Sequence, residues 1–149
     1  MKPRQLVITA FVIILASCTK NKFTSAPQVS IKSISPSTVF SSNIITVKGK
    51  YTDKEGNLDS ALIVYKWYNG TTVTRNDTFR YSFAALKLPV KTIEADIDLV
   101  FEYNTFNTDL AKLSGVSKDT TATLGIILKD KDSLRSNYSE SAQIRLKKP

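Results

Sequence analysis

Apolar and polar side chains alternate in steps of two along most of this 149-residue chain, and only an extended strand with one buried face can use that period. The clearest case runs from Ile93 to Tyr103, where Ile93, Ala95, Ile97, Leu99, Phe101 and Tyr103 alternate with Glu94, Asp96, Asp98 and Glu102. Ile45, Val47, Gly49 and Tyr51 alternate with Thr46, Lys48 and Lys50, and Phe79, Tyr81 and Phe83 alternate with Thr78, Arg80 and Ser82. Ala122, Leu124, Ile126 and Leu128 form another such set, and Ala142, Ile144 and Leu146 a last one. Ala61 to Tyr68 is apolar on both sides, as expected of a strand inside a sheet. Val29 to Ile34 reads as a weaker first strand. Turn chemistry falls between these runs: Ser35-Pro36-Ser37, the stretch from Asp53 to Asn57, and Asn69-Gly70, a pair suited to the positive φ of a hairpin turn. Only Thr108 to Leu113 reads as helical, with Thr108 as N-cap and Gly115 as the stop. The pattern predicts an all-β fold, a single antiparallel β-sandwich of seven or eight strands over residues 29–149.

The first eighteen residues stand apart from this pattern. Lys2 and Arg4 precede Leu6 to Leu15, ten residues that are apolar except for Thr9. As a helix they cover roughly 15 Å, half of a hydrocarbon core, which suits the apolar segment of an export signal better than a membrane span. The run ends in Leu15-Ala16-Ser17-Cys18, which resembles the lipobox of bacterial lipoproteins. That resemblance implies cleavage after residue 17, a diacylglyceryl group on the Cys18 thiol, and a membrane as the first partner. Residues 1–17 then form the signal peptide, and 18–28 the lipidated Cys and a polar tether. Two or three acyl chains, at about 0.8 kcal/mol per buried methylene, hold a protein far better than one. No Asp follows the Cys, and no acidic cluster like the surface-export signal of Bacteroidetes lipoproteins follows either. By that analogy the expected address is the outer membrane, facing the periplasm, with the cell surface as the other possibility.

Composition removes several function classes. The chain has no His and one Cys, which excludes Ser-His-Asp and Cys-His triads, His-ligated zinc or haem, and an internal disulfide framework. It has five Gly and no Gly-rich phosphate loop. Losing Lys2 and Arg4 with the signal leaves 19 basic and 13 acidic residues, a net +6. The basic residues are dispersed along strands rather than forming a stripe interleaved with aromatics, so no nucleic-acid partner is expected.

Trp67 in the third strand, a short helical crossover ending near Asp119 and the long sixth strand before a terminal hairpin resemble immunoglobulin-like domains. The phrase from Val47 to Asp59 (VKGKYTDKEGNLD) is similar to the strand-then-acidic-turn phrase of polycystic-kidney-disease-type modules in exported Bacteroidetes proteins. Leu128 to Asp132 (LKDKD) is similar to their second such turn. The resemblance covers residues 29 to 147 and implies an Ig-like sandwich, although the Cys pair of antibody domains is missing.

Three groups of residues are candidates for chemistry. Asp53, Glu55, Asn57 and Asp59 present oxygen at every second position around Gly56, and the turn after the sixth strand adds Asp130 and Asp132. Hard oxygens at that density are what Ca²⁺ takes, so a structural Ca²⁺ site is one reading; a solvated turn built from turn-forming residues is the other. Tyr65, Trp67, Tyr68, Phe79, Tyr81 and Phe83 either pack the core or, in part, offer a flat platform to a sugar. Glu94, Asp96, Asp98 and Glu102 share one face of one strand, with i and i+2 roughly 6.6 Å apart. Such a pair has the spacing for glycoside hydrolysis, but a solvent face paired with Lys48 and Lys50, or with the Arg145–Lys147 face, is simpler. The expectation is a non-enzymatic envelope module with a protein or glycan partner; the alternative is a small glycan-acting hydrolase using the 93–103 strand.

Overall fold

A computed structural model describes residues 24–89, 91–104 and 109–149, so the signal peptide, Cys18 and Thr108 lie outside the described residues. In chain order the strands are β1 (Gln28–Ser35), β2 (Thr38–Val39), β3 (Ile44–Thr52), β4 (Leu58–Asn69) and β5 (Thr72–Ser82). They are followed by β6 (Glu94–Tyr103), β7 (Ala111–Leu113), β8 (Thr120–Asp130), β9 (Ser139–Glu140) and β10 (Ile144–Leu146). Among the described residues there is no helix. One sheet has the order β1-β3-β6-β7, the other β2-β10-β8-β4-β5 with β9 paired to β8. The all-β expectation therefore holds.

The core-facing rows are the ones the period of two picks out. Ile45, Val47 and Tyr51 on β3 and Ile97, Leu99, Phe101 and Tyr103 on β6 come from one sheet. Ala61, Ile63 and Tyr65 on β4 and Ala122, Leu124, Ile126 and Leu128 on β8 come from the other. All join one buried cluster, so the sheets pack face to face. Rings from opposite sheets meet edge-on: Tyr81 and Phe101 stand 6.4 Å apart at 63°. At one end the loop after β5 sends Leu86 and Leu88 into the same cluster.

Several expectations need correction. The sheets are mixed rather than antiparallel, because β2 pairs with β10, and β6 with β7, in parallel. These joins involve two- or three-residue strands, too short to show alternation, which is also why ten strands form rather than seven or eight. The chain leaves β1 in one sheet, turns at a cis Ser35-Pro36 bond and enters the other sheet as β2. The segment expected to be helical forms β7 instead: Leu113 is buried beside Tyr103, and Asn104 N donates to Leu113 O at 3.0 Å. Six residues cannot repay the cost of nucleating a helix when a sheet edge offers partners. The hairpin turn is Gly70-Thr71, with φ +60° at Gly70, while Asn69 still pairs with Thr72 in the ladder. Ala142 is exposed and the last strand starts only at Ile144.

Candidate functional site

The two acidic turns meet at one end of the structure. On β3 the core-facing row is Ile45, Val47, Tyr51, and the next position in phase is Asp53, 1% exposed. On β8 it is Leu124, Ile126, Leu128, and the next is Asp130, 2% exposed. Leu58, the first residue of β4, pairs with Asp130 across the ladder, and only the 53–57 turn separates it from Asp53. Both carboxylates thus extend the buried rows of opposite sheets at the same end.

Local chemistry holds them there. Asp53 N donates to Ile93 O at 2.8 Å, and Asp53 Oδ2 accepts from Asn57 N at 2.8 Å, closing the turn. Gly56 permits that closure with φ +61°, and a Cβ there would stand 3.4–3.5 Å from backbone of Lys91 and Thr92. Asp130 Oδ1 accepts from Leu134 N at 2.8 Å. Asn57 joins the two turns: its Nδ2 donates to Asp132 Oδ2 at 2.8 Å, and its main-chain carbonyl accepts from Lys131 N at 3.2 Å. Three oxygens remain buried without a hydrogen-bond partner: Asp53 Oδ1, Asn57 Oδ1 and Asp130 Oδ2. Neither buried carboxylate joins an ion pair among the described residues.

The other expected ligands lie elsewhere. Glu55 is exposed, and Asp59 turns towards β5, where Arg80 Nη2 holds it at 2.9 Å. The hydrogen bond to Ser60 and then the Arg80 pair keep the Asp59 carboxyl below its ordinary range. Asp132 is exposed and bonded to Asn57. Among the described residues no three Asp or Glu side chains gather as a metal-ligand group. What the turns bring together is two carboxylates and one amide.

Of the aromatics, Tyr65 and Phe83 are buried, and Trp67, Phe79 and Tyr81 are packed on the core. The Trp67 face is covered by the Arg75 guanidinium, 4.4 Å from the ring centroid, with Arg75 held by Asp77 at 2.6 Å. That leaves no bare platform at Trp67. On β6, Glu94, Asp96 and Asp98 are exposed, and Asp96 and Asp98 lie opposite Lys50 and Lys48 in the register, with Lys50 Nζ 3.6 Å from Asp96. Glu102 departs from the expected solvent face: it is 4% exposed, between Ile44 on β3 and Lys112 on the β7 edge. The Arg145–Lys147 face is in the other sheet and pairs with β2 and β8.

One polar cluster carries no motif in the sequence. Glu140 on β9 accepts from Thr123 Oγ1 at 2.6 Å and Tyr68 OH at 3.2 Å, and its Oε1 lies 3.1 Å from Lys66 Nζ. Lys66 in turn sits 4.7 Å from the Tyr138 ring centroid. Tyr138 packs where a Cβ on Gly125 would stand, so this glycine admits the ring. Tyr138, and then Glu140 against the cost of burial, hold the Lys66 ammonium above its ordinary range. Burial would raise the Glu140 carboxyl, but hydrogen bonds from Thr123, Lys66 and Tyr68 together hold it below that range. Alternation in β4 and β8 puts Lys66, Tyr68 and Thr123 on one outer face, but β9 is two residues long and announces nothing.

No family model and no curated protein matches the chain. Among solved structures it is similar to the Pseudomonas fluorescens alkylpurine DNA glycosylase AlkC bound to DNA containing an abasic site analog, at TM-score 0.46 and 9% identity. It is also similar to Spo0M, a sporulation control protein from Bacillus subtilis, at TM-score 0.39 and 8% identity. The alignments cover 83% and 85% of this chain but only 31% and 51% of those chains.

Proposed function

We propose that this protein is an exported lipoprotein whose Ig-like β-sandwich acts as a non-enzymatic binding or structural module in the cell envelope, with a protein or glycan partner. The observation that carries the reading is the order of the first eighteen residues: Lys2 and Arg4, the apolar run Leu6 to Leu15, then Ala16-Ser17-Cys18. Two packed sheets with a continuous core suit a module that offers its surface. The hydrolase reading draws less support, because Asp96 is held by Lys50 and Glu102 is buried.

Metabolic labelling with an alkyne palmitate, followed by fractionation, tests the anchor. The parent chain is expected to take up label and sediment with membranes, while Cys18→Ala loses the label. A labelled Cys18→Ala chain, or an unlabelled parent, overturns the proposal. Protease treatment of intact and lysed cells then separates the cell surface from the periplasm.

A further inference from the structure

The end of the sandwich that carries Asp53 and Asp130 shows a shortage of partners that the hydrogen-bond pattern leaves open. Two ionisable side chains, each at least 98% buried, occupy positions that the strand period assigns to core residues. Each satisfies one oxygen with a backbone N–H and leaves the other buried and unpartnered, and Asn57 between them leaves its Oδ1 in the same state. An uncompensated carboxylate in such a place is costly, and a second one buried at the same end of the two sheets adds to that cost. Buried charges persist where a cation or a metal compensates them.

We infer that Asp53, Asn57 and Asp130 form a Ca²⁺ site that ties the β3–β4 turn to the end of β8, the metal taking the three orphaned oxygens Asp53 Oδ1, Asn57 Oδ1 and Asp130 Oδ2. The donor set decides the ion. Every donor is a hard oxygen, and the chain has no His and a single Cys at position 18, so soft-metal ligation has nothing to draw on. Two charges plus a neutral amide match a weak extracellular-type site whose remaining positions go to backbone carbonyls and water, with affinity on the order of 0.1–1 mM. Asp132 takes the Asn57 amide nitrogen at 2.8 Å, which leaves the buried amide oxygen as the donor atom for a metal. Asp59 and Glu55 take no part, since the first is committed to Arg80 and the second is exposed. The ion is structural: its role is to fix two turns.

The full chain, purified in detergent and stripped with a chelator, provides the test. Calcium titration by calorimetry is expected to show one site, and 5 mM Ca²⁺ to raise the melting temperature by several degrees. Terbium added instead of calcium should give tyrosine-sensitised emission, since Tyr51 stands one core position inward of Asp53. Asp53→Asn, Asp130→Asn and Asn57→Ala should each weaken binding at least about tenfold, whereas Asp59→Asn binds as the parent does. In chelator the ranking should invert, Asp53→Asn and Asp130→Asn melting no lower than the parent because a buried charge has been removed. Any single variant that misfolds by circular dichroism leaves the other two to decide. Absence of saturable binding up to 10 mM Ca²⁺, or parental binding by Asp53→Asn and Asp130→Asn, overturns the site.

Discussion

Replacing Glu140 on β9 probes how far one surface carboxylate holds the small strand to the body of its sheet. Its carboxylate accepts from Thr123 at 2.6 Å and Tyr68 at 3.2 Å and pairs with Lys66 at 3.1 Å. A hydrogen bond to a charged group contributes about 1.5–3 kcal/mol when well buried, but these share one acceptor and do not add. The Glu140 side chain is 30% exposed, which reduces the Lys66 pair to roughly 0.5–1 kcal/mol. Glutamine keeps an acceptor for Thr123 and Tyr68 and loses only the charge, so Glu140→Gln should cost about 1 kcal/mol. Glu140→Ala also removes the short bond from the hydroxyl of buried Thr123, leaving it only Tyr68 OH at 3.3 Å, and should cost about 2 kcal/mol. At roughly 3–5 °C per kcal/mol for a domain of this size, melting temperatures fall by about 3–5 °C and 6–10 °C. The pH dependence has a definite sign. The folded pKa of Glu140 lies below its unfolded value of 4.5, so its contribution is complete above 4.5 and is lost as pH falls through the folded pKa. Urea denaturation of parent and Glu140→Gln at pH 7 and near pH 3 measures both effects. Equal stability at pH 7, or a gap that stays as large in acid, would refute the reasoning.

Gly49 faces the backbone of β1, where a Cβ would stand 2.5 Å from Ser30 O and 3.2 Å from Ile31 Cα. Because that neighbour is main chain, Gly49→Ala should cost about 2–3 kcal/mol in urea denaturation. The Asn137 amide accepts from Val29 N and donates to Val29 O, both at 2.9 Å, standing in for a strand partner at the edge of β1. Asn137→Ala should therefore cost about 1–2 kcal/mol and speed amide exchange at Val29 more than at Ile31, whose N–H donates to Ser139 Oγ at 2.9 Å. Buried Tyr103 accepts from Val116 N at 3.1 Å and donates to Lys147 O at 3.0 Å. Tyr103→Phe should lower stability by about 1–2 kcal/mol and raise exchange at Val116 ahead of the core strands.

The rows on β3, β4, β6 and β8 were legible because each of these strands is nine residues or longer and carries three or more in-phase apolar side chains, and these are the buried rows. Legibility failed where length failed. A two-residue strand such as β2 or β9 has no period, and its place is set by partners more than a hundred residues away or by a ring such as Tyr138. The Thr108–Leu113 segment shows the same limit, since local propensity spoke for a helix while the open edge of β6 decided for a strand. In the candidate site, the residue types were visible but their directions were not. Asp53 and Asp130 continue the core rows, whereas the bulge between Leu58 and Ser60 moves Asp59 out of step and Asp132 lies in the turn beyond the end of β8. Lysines opposite Asp96 and Asp98 follow directly from the β3–β6 register, whereas burial of Glu102 depends on the neighbouring β7 edge.

The pairing of Gln28 with Thr52 fixes which way up the domain would stand on a membrane. The chain enters β1 at the end that carries Asp53 and Asp130, and Gln28 is ten residue steps from Cys18. Fully extended they reach about 35 Å, so on the proposed anchor this end is the one held near the headgroups. Arg145, Lys147 and the chain terminus leave from the opposite end, beside Thr38 and Thr120. The twelve residues of β4 put about 40 Å between the two ends, five Debye lengths at physiological salt. If that anchor holds, Lys20 and Lys22 would feel the anionic bilayer while Arg145, Lys147 and the exposed Phe40, at the far end, would lie beyond its field.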